Sequence, residues 1–160
     1  MTYSRRDIIS ARLTLVRREL DYIAGKLTPG ILEWAPSQGM RTIAGQFVEI
    51  ISTEMLWVSL LKTDTWTTDD ENLKVVEACR SLDSLRQAMK DVRAETLEML
   101  NSLSDDDLAE EVVFRGGTFN SLELPTIPRG EILVNIAFHE WYHAGQLTSY
   151  LWARGDDPYK

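Results

Sequence analysis

Apolar residues recur at intervals of three and four in four segments of this chain, and no segment shows a sustained alternation of apolar and polar residues. Intervals of three and four place side chains along one face of an α-helix, whereas a half-buried strand alternates with period two. In the first segment the apolar stripe consists of Ile9, Leu13, Val16, Leu20 and Ile23. The spacing therefore predicts an all-α protein.

The other three predicted helices are amphipathic as well. The second helix has a wide apolar stripe, which predicts burial on two sides. Its members are Ile43, Phe47, Ile50, Ile51, Met55, Trp57, Val58 and Leu61. The third begins near Ser81, and the fourth runs from about Glu131 to Ala153, before Arg154 and Gly155. Four long antiparallel helices around one core are the simplest architecture for this pattern, so we expect a four-helix bundle.

Turn-forming and polar residues separate these helices. Thr28-Pro29-Gly30 predicts the end of the first helix, and the polar stretch from Lys62 to Asn72 predicts a loop after the second. Ser104, followed by three aspartates, is typical of the N-cap of a short helix. The segment from Phe114 to Gly130 predicts a loop of about 15 residues, which is long for a compact bundle. Loops of that length often shape a functional site.

Length and charge restrict the domain organisation and the partners. The 160 residues predict a single domain spanning residues 1–160. The 25 acidic residues exceed the 17 basic ones by eight, and a net charge of −8 repels phosphate backbones. The basic residues of the first helix alternate with acidic ones, and we interpret them as a solvated face: Arg5, Arg6, Arg12, Arg17, Arg18 and Lys26. We expect no nucleic-acid partner.

The single cysteine, Cys79, excludes an intrachain disulfide framework and a CxxC metal or redox motif. A reducing cytoplasm suits such a chain, and we interpret Cys79 as a partly buried thiol rather than a nucleophile. No uninterrupted apolar run approaches the roughly 18 residues that span a bilayer. We therefore predict a cytoplasmic protein without a membrane segment.

The only two histidines, His139 and His143, stand four residues apart on the predicted fourth helix. They fall on the stripe of Ile132, Ile136 and Tyr150, so both imidazoles are expected to face the bundle interior. An i, i+4 pair on one face brings two ring nitrogens within reach of one metal ion. The alternative is two core histidines, each with one hydrogen-bond partner. Because the chain has no other histidine, the shared face favours metal ligation.

A third ligand would have to come from another helix, and the second helix offers Glu49 and Glu54. Glu54 lies on the apolar stripe, whereas Glu49 lies about 120° around the helix, a rotation that follows from 3.6 residues per turn. Geometry alone thus favours Glu54 as the inward carboxylate. A buried carboxylate needs a metal or a hydrogen-bonding partner, because an unpaired one is costly.

His139-Glu140-Trp141-Tyr142-His143 also matches the HExxH motif, in which the glutamate is the general base of a zinc protease. The longer form of that motif requires Gly and His where this chain has Gln146 and Ser149. Only 17 residues follow His143 to supply the carboxylate of the other form, and no sheet is predicted that could present a peptide substrate. We therefore reject the protease interpretation.

Three segments of the chain resemble the DinB-like (DinB/YfiT) four-helix-bundle superfamily. The sharpest match is the run from His139 to Gln146, which is similar to the H-x-x-x-H-x-G-Q signature on the last helix of that family. The segments 81–108 and 41–61 resemble its third and second helices. The resemblance covers most of the chain and implies an antiparallel four-helix bundle of DinB/YfiT type, with a long loop before the last helix.

The resemblance also implies a divalent metal held by three protein ligands. In the family the third ligand is a histidine on the second helix, five residues before a glutamate. Aligning that glutamate with Glu54 puts Glu49 at the ligand position, so the implied ligands are Glu49, His139 and His143. Glu54 and Gln146 would then support the ligands through hydrogen bonds. Mixed nitrogen and oxygen ligation suits zinc, nickel, iron or manganese.

Two functions remain open at this point. The first, implied by the resemblance, is a metal-dependent enzyme acting on a small molecule: a thiol-dependent S-transferase that uses a low-molecular-weight thiol, or a metal hydrolase. The second is a non-catalytic bundle, metal-binding or vacant, acting as a stress-associated or interaction protein; Glu49 in place of the family histidine favours it. The resemblance further implies a homodimer formed by helix packing.

Overall fold

The computed structural model describes residues 2–63, 71, 74–75, 78–113 and 124–160, and its secondary structure is helical apart from one short ladder. The elements in chain order are α1 (Arg5–Lys26), a 3-10 turn (Pro29–Ile31), α2 (Ile43–Thr63), α3 (Leu82–Ser102), α4 (Asp105–Ala109), β1 (Glu111–Val113), β2 (Thr126–Pro128) and α5 (Arg129–Arg154). The prediction of an all-α bundle is confirmed.

The predicted helix ends follow from local capping. Ser81 and Ser104 are the N-caps of α3 and α4, and each forms a reciprocal capping box with the residue three positions later. Ser4 caps α1 in the same way. Gly155 follows α5 with a φ of 88°, a conformation that glycine adopts without steric cost. The N-cap prediction for Ser104 and the end predicted for the last helix are therefore confirmed.

A two-stranded antiparallel ladder precedes α5, and the helical pattern did not predict it. Val112 pairs with Ile127, with Glu111 opposite Pro128 and Val113 opposite Thr126. Strands of three residues are too short to show alternation in a sequence. Strand β1 ends just before the predicted loop, and β2 with the first two residues of α5 occupies the C-terminal end of that loop. Residues 114–123 of that loop, and most of the predicted loop after α2, lie outside the described residues.

The bundle interior consists of two apolar clusters stacked along its length. One contains Leu20, Phe47, Leu85 and Leu147, and the other contains Leu13, Trp57, Leu100 and Ile136, so each takes side chains from α1, α2, α3 and α5. The level between the two clusters is polar, because Arg17, Glu54, Arg93 and Glu140 occupy it. This polar level lies beside the predicted site.

Helix α2 is long and apolar enough to cross a membrane, with a mean hydropathy of 1.2 over its most apolar window. Half of that window is buried inside the bundle, and the helix carries the buried charge of Glu54. A core helix of a soluble protein passes the same test, and α2 has the burial of such a helix.

Candidate functional site

Helix α5 brings the two histidines together at one level of the bundle. Their Nε2 atoms are 3.1 Å apart, and the rings meet edge to face with centroids separated by 4.5 Å. His143 is buried, whereas His139 is partly exposed and packs edge-on against the Trp57 ring of α2. Tyr142, which is exposed, contacts the His143 ring. The pair thus lies inside the bundle with one imidazole open toward the surface.

Gln46 of α2 fixes the orientation of the His143 ring. Its Oε1 contacts His143 Nδ1, and its amide nitrogen donates to the Tyr150 hydroxyl at 3.0 Å. An amide oxygen only accepts, so Nδ1 of His143 carries the proton and Nε2 presents a lone pair. Gln46 was not predicted from the sequence. Its position four residues before Ile50, on the apolar stripe of α2, is the signal that could have found it.

Burial sets the protonation state of both imidazoles. Desolvation lowers the pKa of His139 to about 4, helped by the charges of His143 and Arg41 and opposed by that of Glu54. Desolvation also lowers the pKa of His143 to about 4, and the charge of Arg41 acts in the same direction. The Gln146 side chain acts in the opposite direction and raises this pKa. Both rings are therefore neutral at pH 7, the state in which imidazole binds a metal.

The structure does not bring Glu49 to the histidine pair. Its side chain is 34% exposed and pairs with Arg41, whose Nη2 lies 3.0 Å from Glu49 Oε2. Within the described ranges, no three His, Cys, Asp or Glu side chains form a group that could hold a metal ion. Gln46 is the residue of α2 whose polar side chain contacts the pair, because it lies on the inward face and Glu49 does not. The two imidazoles fit a metal ion, but a third ligand of the expected kind is not assembled.

Glu54 is buried, as the helical stripe predicts, and its partners are two arginines. It accepts hydrogen bonds from Arg17 Nη2 at 2.8 Å, from Arg93 Nε at 2.7 Å and from Thr96 Oγ1 at 2.6 Å. Both of its oxygens are thus engaged within the polar level.

Gln146 follows His143 on α5, and its Oε1 is buried without a hydrogen-bond partner in the described part of the chain.

Glu140 completes a four-residue ionic cluster with Arg17, Glu54 and Arg93, one residue from each long helix. Arg17 Nε donates to Glu140 Oε1 at 2.6 Å, and Arg93 Nη2 donates to Glu140 Oε2. Arg17 Nη1 donates to the backbone carbonyl of Met89, and Arg93 Nη1 donates to that of Leu13. Because both oxygens of Glu140 are bound by guanidinium groups, this glutamate is not placed to act as the general base of an HExxH site.

The interpretation of Arg17 as part of a solvated face is wrong, since only 8% of the residue is exposed. Arg17 lies four residues after Leu13 and three before Leu20, so it falls on the buried stripe of α1. Arg93 has the same relation to Met89 and Thr96 on α3, and it was not predicted from the sequence. The available signal was an arginine at the spacing of the apolar stripe. Its burial could not be predicted from that spacing alone, because it requires acidic partners from other helices.

Cys79 is buried, and burial raises the pKa of its thiol. A thiol with a raised pKa forms little thiolate at pH 7, which favours the structural interpretation of this residue.

Comparison with known families gives one match. The family model described as the DinB superfamily matches residues 12–147, a range that includes Gln46, the ionic cluster and both histidines. No curated protein matches the chain.

Proposed function

Because the chain belongs to the DinB superfamily, we propose that its histidine pair binds a divalent transition metal that serves a small-molecule reaction. The observation that carries the proposal is the convergence of two neutral imidazoles, with Nε2 atoms 3.1 Å apart and Nδ1 of His143 held by Gln46. An ion about 2 Å from each nitrogen fits between them. Zinc, nickel, iron and manganese all accept such ligands.

Two protein ligands leave coordination positions for water or for a small molecule. A bound metal would lower the pKa of a water or of a low-molecular-weight thiol at those positions, which is the chemistry of a hydrolase or of a thiol-dependent transferase. The chain's own residues would orient and restrict the ligand. Gln46 holds His143, Trp57 packs against His139, and the charge of Arg41 near both rings favours an anionic ligand such as hydroxide or thiolate.

A second candidate is a bundle that binds no metal. The ion pair between Glu49 and Arg41 favours it, because it occupies the carboxylate that was expected to complete the site. In that case His139 donates its Nε2 proton to the Nε2 lone pair of His143, and the two rings form a neutral hydrogen-bonded pair.

Elemental analysis of untagged, metal-supplemented protein distinguishes the two candidates. We expect a stoichiometric metal in the wild type, and an affinity reduced roughly 100-fold or more in His139→Ala and in His143→Ala, since removing even a supporting group costs 10–100-fold. Glu49→Gln is the matched control and is expected to retain the metal. Wild-type protein without metal would contradict the proposal and leave the second candidate.

The open coordination positions can be tested on cobalt-substituted protein. Adding a small thiol is expected to produce a thiolate-to-cobalt charge-transfer band, because the thiol binds as its anion. An unchanged spectrum would mean that no position is open to a thiol and would remove the transferase from the proposal.

We also propose that the partner of this chain is a second copy. Ile8 and Leu15 of α1 and Phe138 of α5 are exposed side by side on neighbouring helices. Asp7 and Arg12 of α1 flank these residues, and Arg12 forms no ion pair among the described residues. A two-fold arrangement can therefore place Arg12 of one copy against Asp7 of the other. One patch then covers the same patch on its partner.

Light scattering at micromolar concentration tests this interface. We expect a dimer for the wild type and a monomer for Leu15→Asp/Phe138→Asp, because both charges would be buried at the interface without a partner. The exposed Met40→Asp variant is the control for added charge outside the proposed contact. A monomeric wild type, or a dimer that survives the double substitution, would contradict the assignment.

A further inference from the structure

A solvent-open cavity lies on the outer side of α5, away from the histidine pair. Its volume is about 290 Å³, and it lies between α1, α5 and the C-terminal residues that follow α5. Trp141, Gly145, Thr148 and Trp152 line it from α5, at intervals of four, three and four that place them on one helical face. This cavity, which we call the aromatic pocket, plays no part in the proposed metal chemistry.

Hydrogen bonds and ring contacts hold the walls of the aromatic pocket in place. The Tyr159 hydroxyl donates to Glu19 Oε1 at 2.5 Å, and the Tyr159 ring stacks on Tyr22 with centroids 5.9 Å apart. The rings of Trp152 and Tyr159 are 6.4 Å apart and inclined by 56°, so they form an open angle. The Trp152 side chain also hydrogen-bonds Asp157. The pocket is therefore built before any ligand arrives.

Gly145 forms an open floor between the two tryptophans. A Cβ atom added at this position would have no heavy atom within 4 Å, so close packing does not require a glycine here. Glycine in a helix interior costs about 1 kcal/mol relative to alanine. Its presence in the middle of the lining keeps space free above the helix.

The chemistry of the walls selects a cation. Aromatic faces carry a negative electrostatic potential, and the carboxylate of Glu19 adds a formal charge at the edge. The Lys26 ammonium already lies 5.1 Å from the centroid of Tyr22, the ring on which Tyr159 stacks. A metal ion would need several oxygen ligands. A weakly hydrated organic cation needs only ring faces and one negative charge.

We propose that the aromatic pocket binds a small organic cation with a quaternary or methylated ammonium head, which contacts Trp152, Tyr159 and Glu19. The volume accommodates a head group and a short substituent, which extends over Gly145 toward Trp141. The net charge of −8 raises the local concentration of such cations.

The test measures tryptophan fluorescence and calorimetric binding with choline, and with 3,3-dimethylbutan-1-ol as its uncharged isostere. We expect saturable binding of choline and binding of the isostere at least tenfold weaker. Trp152→Leu is expected to weaken choline binding roughly three- to thirty-fold, the range of a cation–π contact. Glu19→Gln is expected to weaken it as well, because it removes the formal negative charge beside the ring faces. Gly145→Leu is expected to abolish it by filling the floor. Met40→Leu, an exposed residue outside the pocket, is the control.

Three results would overturn the proposal: equal affinity for the isostere, no saturable binding at millimolar choline, or unchanged affinity in all three pocket variants. Chelator-treated protein is used throughout, so the outcome does not depend on the metal site. Glu19 is a surface residue, so its conservative variant keeps the test valid even if Trp152→Leu fails to fold.

Discussion

Replacing Arg93 with methionine is expected to lower the free energy of unfolding by roughly 3–5 kcal/mol, the usual cost of breaking a buried ion pair from one side. Arg93 donates to Glu54, Glu140 and the Leu13 carbonyl. Its loss leaves two buried carboxylates that share the single charge of Arg17. Since a domain is stable by only about 5–15 kcal/mol, one substitution removes a large part of the total.

Urea unfolding at pH 7 measures this cost. Lys90→Met is the matched control, because Lys90 is exposed on the same helix one turn earlier, and it is expected to change stability by less than about 0.5 kcal/mol. Arg93→Met/Glu140→Leu should cost less than the sum of its single substitutions, since it removes one charge of each sign from the cluster. Equal midpoints for Arg93→Met and Lys90→Met would contradict the role given to the cluster.

Acidification from pH 7 toward pH 5 is the second change with a large expected effect. Both histidines have a pKa of about 4 in the folded chain, below the ordinary value of 6.5. The unfolded chain therefore binds more protons between these values, and stability falls as the pH decreases through this window. The contribution of the two buried, neutral imidazoles to stability is fully present above pH 6.5. The slope approaches about 1.4 kcal/mol per pH unit for buried His143 and is smaller for partly exposed His139.

Urea midpoints between pH 7 and pH 5, measured with a chelator to exclude metal effects, report this slope. His139→Asn/His143→Gln is the control and should show a flatter dependence, because the amides do not titrate. The range ends at pH 5 so that protonation of the carboxylates contributes little. The same slope in the wild type and the control would mean that burial of the imidazoles does not cause the acid sensitivity.

The ionic cluster and the histidine pair are structurally connected through α5. Glu140 lies between His139 and His143 in sequence, but its side chain binds the arginines of α1 and α3 rather than contacting the histidines. Glu54 of the cluster also raises the pKa of His139, against the effect of burial. The polar level that separates the two apolar clusters thus fixes the rotation of α5, and with it the direction of both imidazoles.

The sequence by itself determined the features that depend on neighbours within one or two turns. The stripes of α1 and α3, the Ser104 cap and the shared face of His139 and His143 all follow from helical periodicity and capping, which act over three or four residues. The burial of Glu54 was readable in the same way. The DinB superfamily model matches residues 12–147, so membership of the family was also readable from the sequence.

Only the tertiary structure decided which side chains meet. Arg17 finds Glu140 across 123 residues and Glu54 across 37, and no periodic pattern encodes such pairings. Gln46 reaches His143 across 97 residues, whereas Glu49, three positions later, pairs with Arg41 instead. A helix buried on two sides has no single inward direction, so the rotation that selects Gln46 over Glu49 is set by the packing of α2 against α3 and α5 at once.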